Sequence, residues 1–261
     1  RRRSGLFQHG MSTTLERQSE PFGDGCREQG TSFAPAHGRG DEEDRRPVVV
    51  FGNLASSALA RFVIEHDTPY RVEAFTVDAA YRNSETHEGL PLLPFEDLER
   101  FCGPKDVRLC IPMGYQKING IRRARYENAK ARGYEFITYV SSRASWWPGV
   151  SIGENSLVYE HAILQPYCSV GVNAIVRSGA HVSHHGVVGD HAFVAAMVAM
   201  GGKVVVGEQV FLGVGSVVVD SITLAPRTFV GAGAVVTKPT EADGVYVGNP
   251  ARKLEKRSDE L

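Results

Sequence analysis

The chain has 261 residues, room for two domains and tails, with 23% charged residues and a net charge of −1. That balance argues against a nucleic-acid partner held by charge, and no apolar run is long enough to span a membrane. The four cysteines, Cys26, Cys102, Cys110 and Cys168, lack metal-site spacing and follow no secretory signal, so a reducing cytoplasm is the expected setting.

Residues 1–46 are rich in Arg, Gly, Ser and Glu, carry no periodicity, and read as a disordered segment. From Pro47 the character changes. Val48-Val49-Val50-Phe51 is a buried strand, followed by the loop Gly52-Asn53-Leu54-Ala55-Ser56 and a helix over residues 55–65. A second strand over residues 71–77 ends at Asp78, a short helix covers 94–101, and a third strand over 106–112 runs into Met113-Gly114. A helix over 119–132 and a strand over 135–140 complete residues 47–145 as a small parallel α/β domain. Ligands of such sheets sit at the carboxyl ends of strands. The candidates are therefore the loop from Gly52 through Ser56, Asp78 and Gly114. The single glycine of that loop falls short of a dinucleotide fingerprint, although its small residues allow close backbone approach and the helix start can face a phosphate.

Trp146-Trp147-Pro148 marks the start of a different pattern. Every sixth residue from Ile152 to Val236 is aliphatic, fifteen in succession. Two residues earlier the side chain is small or no larger than Val, Ile222 excepted, and Gly follows the aliphatic residue at positions 153, 171, 189, 201, 207, 213 and 231. This period fits neither a helix nor an amphipathic strand. It reads as a parallel β-helix of hexapeptide repeats over residues 146–238. Each repeat supplies one short strand and one corner, and no repeat buries its apolar face without the next coil. Gly is expected to ease the corner backbone. Residues 239–261 form a C-terminal segment containing Gly248-Asn249-Pro250-Ala251.

Four histidines, His181, His184, His185 and His191, gather in mid-repeat, with His184 and His185 placed at an outward corner by the register of Ile152. Histidine suits general-base work near neutral pH. A corner histidine is otherwise simply solvated.

The repeat resembles the left-handed β-helix of hexapeptide-repeat acyltransferases, in which three repeats make a triangular coil. With the α/β domain ahead of it, the chain over about residues 47–254 resembles sugar acyltransferases of the sialic acid O-acetyltransferase and bacillosamine N-acetyltransferase type. The motif carrying this is His184-His185-Gly186-Val187-Val188-Gly189-Asp190. The resemblance implies His184 as catalytic base, with the next residue, usually Asp or Glu, orienting it. Here that residue is His185, which cannot supply a fixed negative charge. The resemblance further implies acetyl-coenzyme A at Phe193, Gly202, Val214 and Ala232, with Phe193 where some members carry a histidine. It implies a sugar nucleotide at Gly52, Asn53, Leu54, Ala55, Ser56, Asp78 and Gly114. No metal is expected. The implied activity is acetyl transfer from acetyl-coenzyme A to a sugar amine or hydroxyl in surface polysaccharide or glycan biosynthesis; from the residues themselves, a cytoplasmic homotrimer is expected. Outward Val205, Val217 and Val219 fit a partner surface. Two alternatives stay open. One is a non-catalytic sugar-nucleotide binding or scaffold protein. The other is a zinc lyase of the carbonic-anhydrase type, which needs three converging histidines.

Overall fold

The computed structural model describes residues 44–261. The expectation of disorder over 1–46 lies outside the described residues except for its last three. The first part is a six-stranded sheet. In chain order it contains β1 (Val48–Phe51), α1 (Ala55–Asp67), β2 (Val72–Val77), β3 (Thr86–His87), β4 (Leu90–Pro94), β5 (Arg108–Cys110), α2 (Gly120–Ala131) and β6 (Glu135–Phe136), with a 3-10 helix over Phe95–Arg100 before β5. The spatial order is β3-β4-β2-β1-β5-β6, parallel throughout except for the β3–β4 hairpin. The chain leaves β1 on one side through α1 to β2 and returns on the other side at β5. The crevice between the carboxyl ends of β1 and β5 is thus a topological switch point.

Hydrophobic alternation sets the layers. Val48 and Val50 face α1, packing with Ala60, Ile64 and Phe75, while Val49 and Phe51 face α2 and the 3-10 helix, packing with Phe95, Leu98 and Ala129. The α1 side also takes up Leu157, Tyr159 and Ile175 from the second part, so the two parts share one core.

That second part is a left-handed β-helix of two-residue strands. Each strand pairs in parallel with the strand eighteen residues on, as in Leu157↔Ile175, Ile163↔His181 and Ser169↔Val187. Three sheets of eight, six and five strands form its faces. Fourteen of the fifteen aliphatic repeat residues are buried, Ile152 being half-buried, and every small residue two positions earlier is buried too. The strand expected over 135–140 divides between the two parts. Glu135–Phe136 closes the α/β sheet, and Tyr139–Val140 pairs with Leu157–Val158 on the eight-stranded face.

The glycines have a different reason from the one expected. Those following the aliphatic residue do not carry the positive φ of the corner. A Cβ on Gly153 would lie 2.6 Å from Val172 N, and one on Gly213 would lie 2.5 Å from Ala232 N. They are glycine because the next coil's backbone passes too close. The left-handed corner conformation falls two residues later, at Asn155, Asn173, His185, His191, Lys203 and Gln209 among others.

One corner column forms a buried ladder against the α/β domain. Asn155 Nδ2 donates to Asn173 Oδ1 (2.7 Å), Asn173 Nδ2 lies 2.8 Å from His191 Nδ1, and the Ile111 N–H donates to Asn155 Oδ1 (2.9 Å). Burial, with the cations of Arg122 and Arg123, holds the His191 pKa below its ordinary 6.5. The folded state therefore binds fewer protons at this site than the unfolded chain, and stability falls as pH drops below about 6.5. Asn keeps the ladder and tolerates the left-handed backbone. His191→Asn is therefore expected to flatten the decline of the unfolding midpoint between pH 6.5 and 5, and an unchanged slope would contradict this role.

Candidate active site

His184 and His185 follow the strand His181–Val182 and are exposed at the corner between the six- and five-stranded faces. Their positions are fixed by the coils on either side. The His184 N–H donates to Gln165 Oε1 (2.9 Å), Ser183 Oγ donates to the same oxygen (2.9 Å), and the Lys203 N–H donates to His184 O (2.9 Å). The two rings meet at Nδ1, 3.2 Å apart and nearly perpendicular at 89°. Tyr167, one coil below His185, stacks on it with ring centroids 4.7 Å apart.

Gly202 lies one coil beyond His184. A Cβ there would sit 2.7 Å from both His184 Cε1 and Nε2, so glycine at this position makes room for the imidazole. The Gly202 N–H donates to Asp220 Oδ1 (2.8 Å). The structure thus brings together three of the expected residues, His184, His185 and Gly202. Asp190, in the same sequence motif, is instead at the ladder corner, where Oδ1 accepts from the Val172 N–H (2.9 Å).

Val214 and Ala232 stack at another corner, joined through Gly233 N–H to Val214 O (2.9 Å). This corner is open and smooth: a Cβ added at Gly215 or Gly233 meets nothing within 4 Å. Phe193 is elsewhere, half-buried on the eight-stranded face. Its ring lies 5.6 Å from Phe211, which stacks on Phe229 at 4.7 Å, and Tyr115 covers Phe211 at 4.2 Å.

Gly52 carries φ +116° at the carboxyl end of β1, and a Cβ there would press on Ser57 at 3.3 Å. Asn53 Nδ2 donates to Tyr81 O (3.0 Å), and Leu54 is 70% exposed as the N-cap residue of α1, with no side chain capping the helix. Ala55 and Ser56 open α1 and are exposed. Gly114 lies beyond β5 on the far side of the switch-point crevice. Asp78 follows β2, but its carboxylate accepts from Arg125 (2.5 Å). Together they line a cleft of about 300 Å³ with Phe95, Glu96, Asn128 and Arg132. The Gly52 loop does not line this cleft.

Sequence reasoning missed Arg122, Tyr167 and Arg125. Arg122 is fully buried, and its guanidinium donates to five backbone carbonyls, those of Met113, Gly114, Asn173, His191 and Ala192, and to Asn119 Oδ1. Burial pushes its pKa down to about 9, which leaves it a cation at neutral pH. Tyr167 and His185 stand eighteen residues apart, a spacing that was legible once the coil length was known. Among the described residues, no group of three or more His, Cys, Asp and Glu could hold a metal ion, and no helix is long and apolar enough to cross a membrane.

No protein-family model matches the chain, and no curated protein matches it. Solved structures do. The acetyltransferase domain of PglB from Neisseria gonorrhoeae FA1090 superposes with TM-score 0.71 at 22% identity, over 80% of this chain and 100% of that one. A histidine-to-alanine variant of GDP-perosamine N-acetyltransferase from Caulobacter crescentus, solved with CoA and GDP-perosamine, gives TM-score 0.69 at 25% identity, over 80% and 97%. WeeI from Acinetobacter baumannii AYE gives TM-score 0.54 at 21% identity, over 80% and 99%. These matches span an α/β sheet followed by a β-helix, the arrangement that the sequence resemblance implied.

Proposed function

We propose that this chain is an acetyl-coenzyme A-dependent acyltransferase that acetylates an amino or hydroxyl group of a nucleotide-linked sugar in glycan biosynthesis. The observation that carries this reading is the fold match, over 80% of this chain and 97% of the other, to an N-acetyltransferase holding CoA and GDP-perosamine. In this chain, that fold has an exposed histidine at a coil corner with room made for its ring by Gly202. The thioester supplies the activated acyl group. As the sugar nucleophile attacks its carbonyl, His184 removes the nucleophile's proton, and backbone N–H groups of the coils stabilise the oxyanion. Since the structural neighbour is an N-acetyltransferase, amines are the first substrates to try. Incubation with acetyl-coenzyme A and a panel of nucleotide amino sugars, read by mass, is expected to yield a product one acetyl group heavier. No product from any amine or hydroxyl acceptor, together with no binding of coenzyme A, would favour a binding or scaffold protein.

The working unit in this reading is a trimer. One chain places His184 on one corner, Val214 and Ala232 on a second, and Gly52, Gly114 and Phe193 on the α/β side. A neighbouring copy is needed to bring a base, a pantetheine groove and a sugar site together. Outward Ile163 is 39% exposed, and Val205, Val217 and Val219 are each 37% exposed, which supplies apolar surface for that contact. The expected mass in solution is three times that of the chain, and a monomer at micromolar concentration would refute it. The cytoplasm is the setting that fits such a reaction.

Asp78 separates the two substrates. Asp78→Ala frees Arg125 and opens the cleft at the end of β2. It is expected to raise KM for the sugar nucleotide several-fold and leave KM for acetyl-coenzyme A unchanged. Equal effects on both would count against separate sites.

A further inference from the structure

We propose that His185 is a positioning residue that replaces a carboxylate by accepting a hydrogen bond as a neutral imidazole, and that it thereby fixes the tautomer of His184. This rests on the reading of His184 as base. The two Nδ1 atoms are 3.2 Å apart, and only one hydrogen fits between them. If His185 donates, His184 keeps its hydrogen on Nε2 and has no lone pair to take a proton. If His184 donates from Nδ1, its Nε2 lone pair is free on the ring edge that lies against Gly202. Among the described residues, nothing else competes for that edge. The Gly202 N–H is committed to Asp220 Oδ1, and among the described residues none accepts a hydrogen from His184 Nε2.

The surroundings hold His185 for this task. Its backbone takes the left-handed corner conformation (φ +58°), and its N–H donates to Pro166 O (3.2 Å). Tyr167, itself at φ +67° and 74% exposed, projects from the coil below and spends its ring on stacking against His185. A side chain this exposed would be free in solvent without that contact. During transfer the nucleophile's nitrogen or oxygen forms its bond to the acetyl carbon, and its proton passes to His184 Nε2. The carbon–sulfur bond breaks, and the coenzyme A thiolate recovers that proton from Nε2. The hydrogen on Nδ1 never leaves His184. While His184 is charged, its bond to His185 is charge-assisted and stronger than in the resting state.

The test reads the tautomer directly. Long-range proton–nitrogen spectra of histidine-labelled full-length protein, assigned with His184→Gln, should show neutral His184 with its hydrogen on Nδ1. His185→Phe keeps the stack on Tyr167 but removes the acceptor. It should return the hydrogen to Nε2 and lower kcat about 10- to 100-fold, the range seen when a metal-ligating histidine loses the partner that orients it, with KM for acetyl-coenzyme A unchanged. His185→Asn places an amide oxygen at the acceptor position and suits the corner backbone. It should restore the Nδ1 hydrogen and most of kcat. A hydrogen on Nε2 of His184 in the unmodified protein, or a His185→Phe protein with unchanged tautomer and kcat, overturns the proposal. If His184→Gln leaves transfer intact, the base reading fails instead, and the tautomer result still stands or falls by its own spectrum.

Discussion

Replacing His184 with alanine is expected to lower kcat by about 10² to 10⁴, the range for losing a general base. Binding of coenzyme A should survive, because in the proposed reading Val214 and Ala232, which carry most of that contact, are on a different corner from His184. Stability should also be nearly unchanged. The side chain is exposed, and what it touches through space is Gly202 and the His185 ring. The measurement is steady-state kcat beside a coenzyme A titration and an unfolding curve. Near-normal kcat in His184→Ala with activity lost in His185→Ala would mean that the base is the next residue along. If neither change matters, the enzyme relies on positioning, or on a substrate amine that is already neutral.

The β-helix was legible because its constraint is strictly local and repeats. Each coil must bury one aliphatic and one small side chain, so Val158, Val176 and Val194 announce their place without knowledge of the rest of the chain. The α/β elements were legible to within a few residues for the same reason: runs such as Val48–Phe51 have few other uses. What the pattern hid was how backbones approach each other. Gly153 and Gly213 look like turn glycines in sequence, yet they answer to a neighbouring coil eighteen residues away. Tyr139–Val140 reads as the tail of an α/β strand because nothing local tells which sheet it will join.

The places of the candidate site residues in the fold were legible by register, their contacts less so. His184 lies at its corner because the register allows nothing else. Its contact with His185 at Nδ1 depends on side-chain torsions that the register does not set. Asp78 was placed correctly at a strand end, but its pairing with Arg125 of α2 arises from packing across 47 residues of chain. Arg122 gave no signal at all. It sits in Ile121-Arg122-Arg123-Ala124-Arg125, where any of the three arginines passes for a solvated helix residue. Only the docking of α2 against the coil corner decides that one of them is buried.

Arg122→Met is accordingly expected to have the largest effect on stability, a loss of about 2–6 kcal/mol, at about 1–3 kcal/mol for each buried carbonyl left without a donor. Met fills much of the volume but offers no hydrogen. The carbonyl of Ala192 keeps the Ile175 N–H as a second donor (3.0 Å). The carbonyls of Asn173 and His191 have Arg122 as their donor and would be left buried and unbonded, while those of Met113 and Gly114 are only part-buried. Arg122→Lys should rescue little, because a point charge cannot reach acceptors spread around a planar fork. The damage should reach function in a specific way. Arg122 ties the Met113-Gly114 loop, beside the switch-point crevice, to the coil corner at His191. Where the variant stays folded, KM for the sugar nucleotide should rise while coenzyme A affinity stays close to normal. Urea unfolding and the two KM values measure this, and an Arg122→Met protein with an unchanged unfolding midpoint would show that the buried cation is not what joins the two parts.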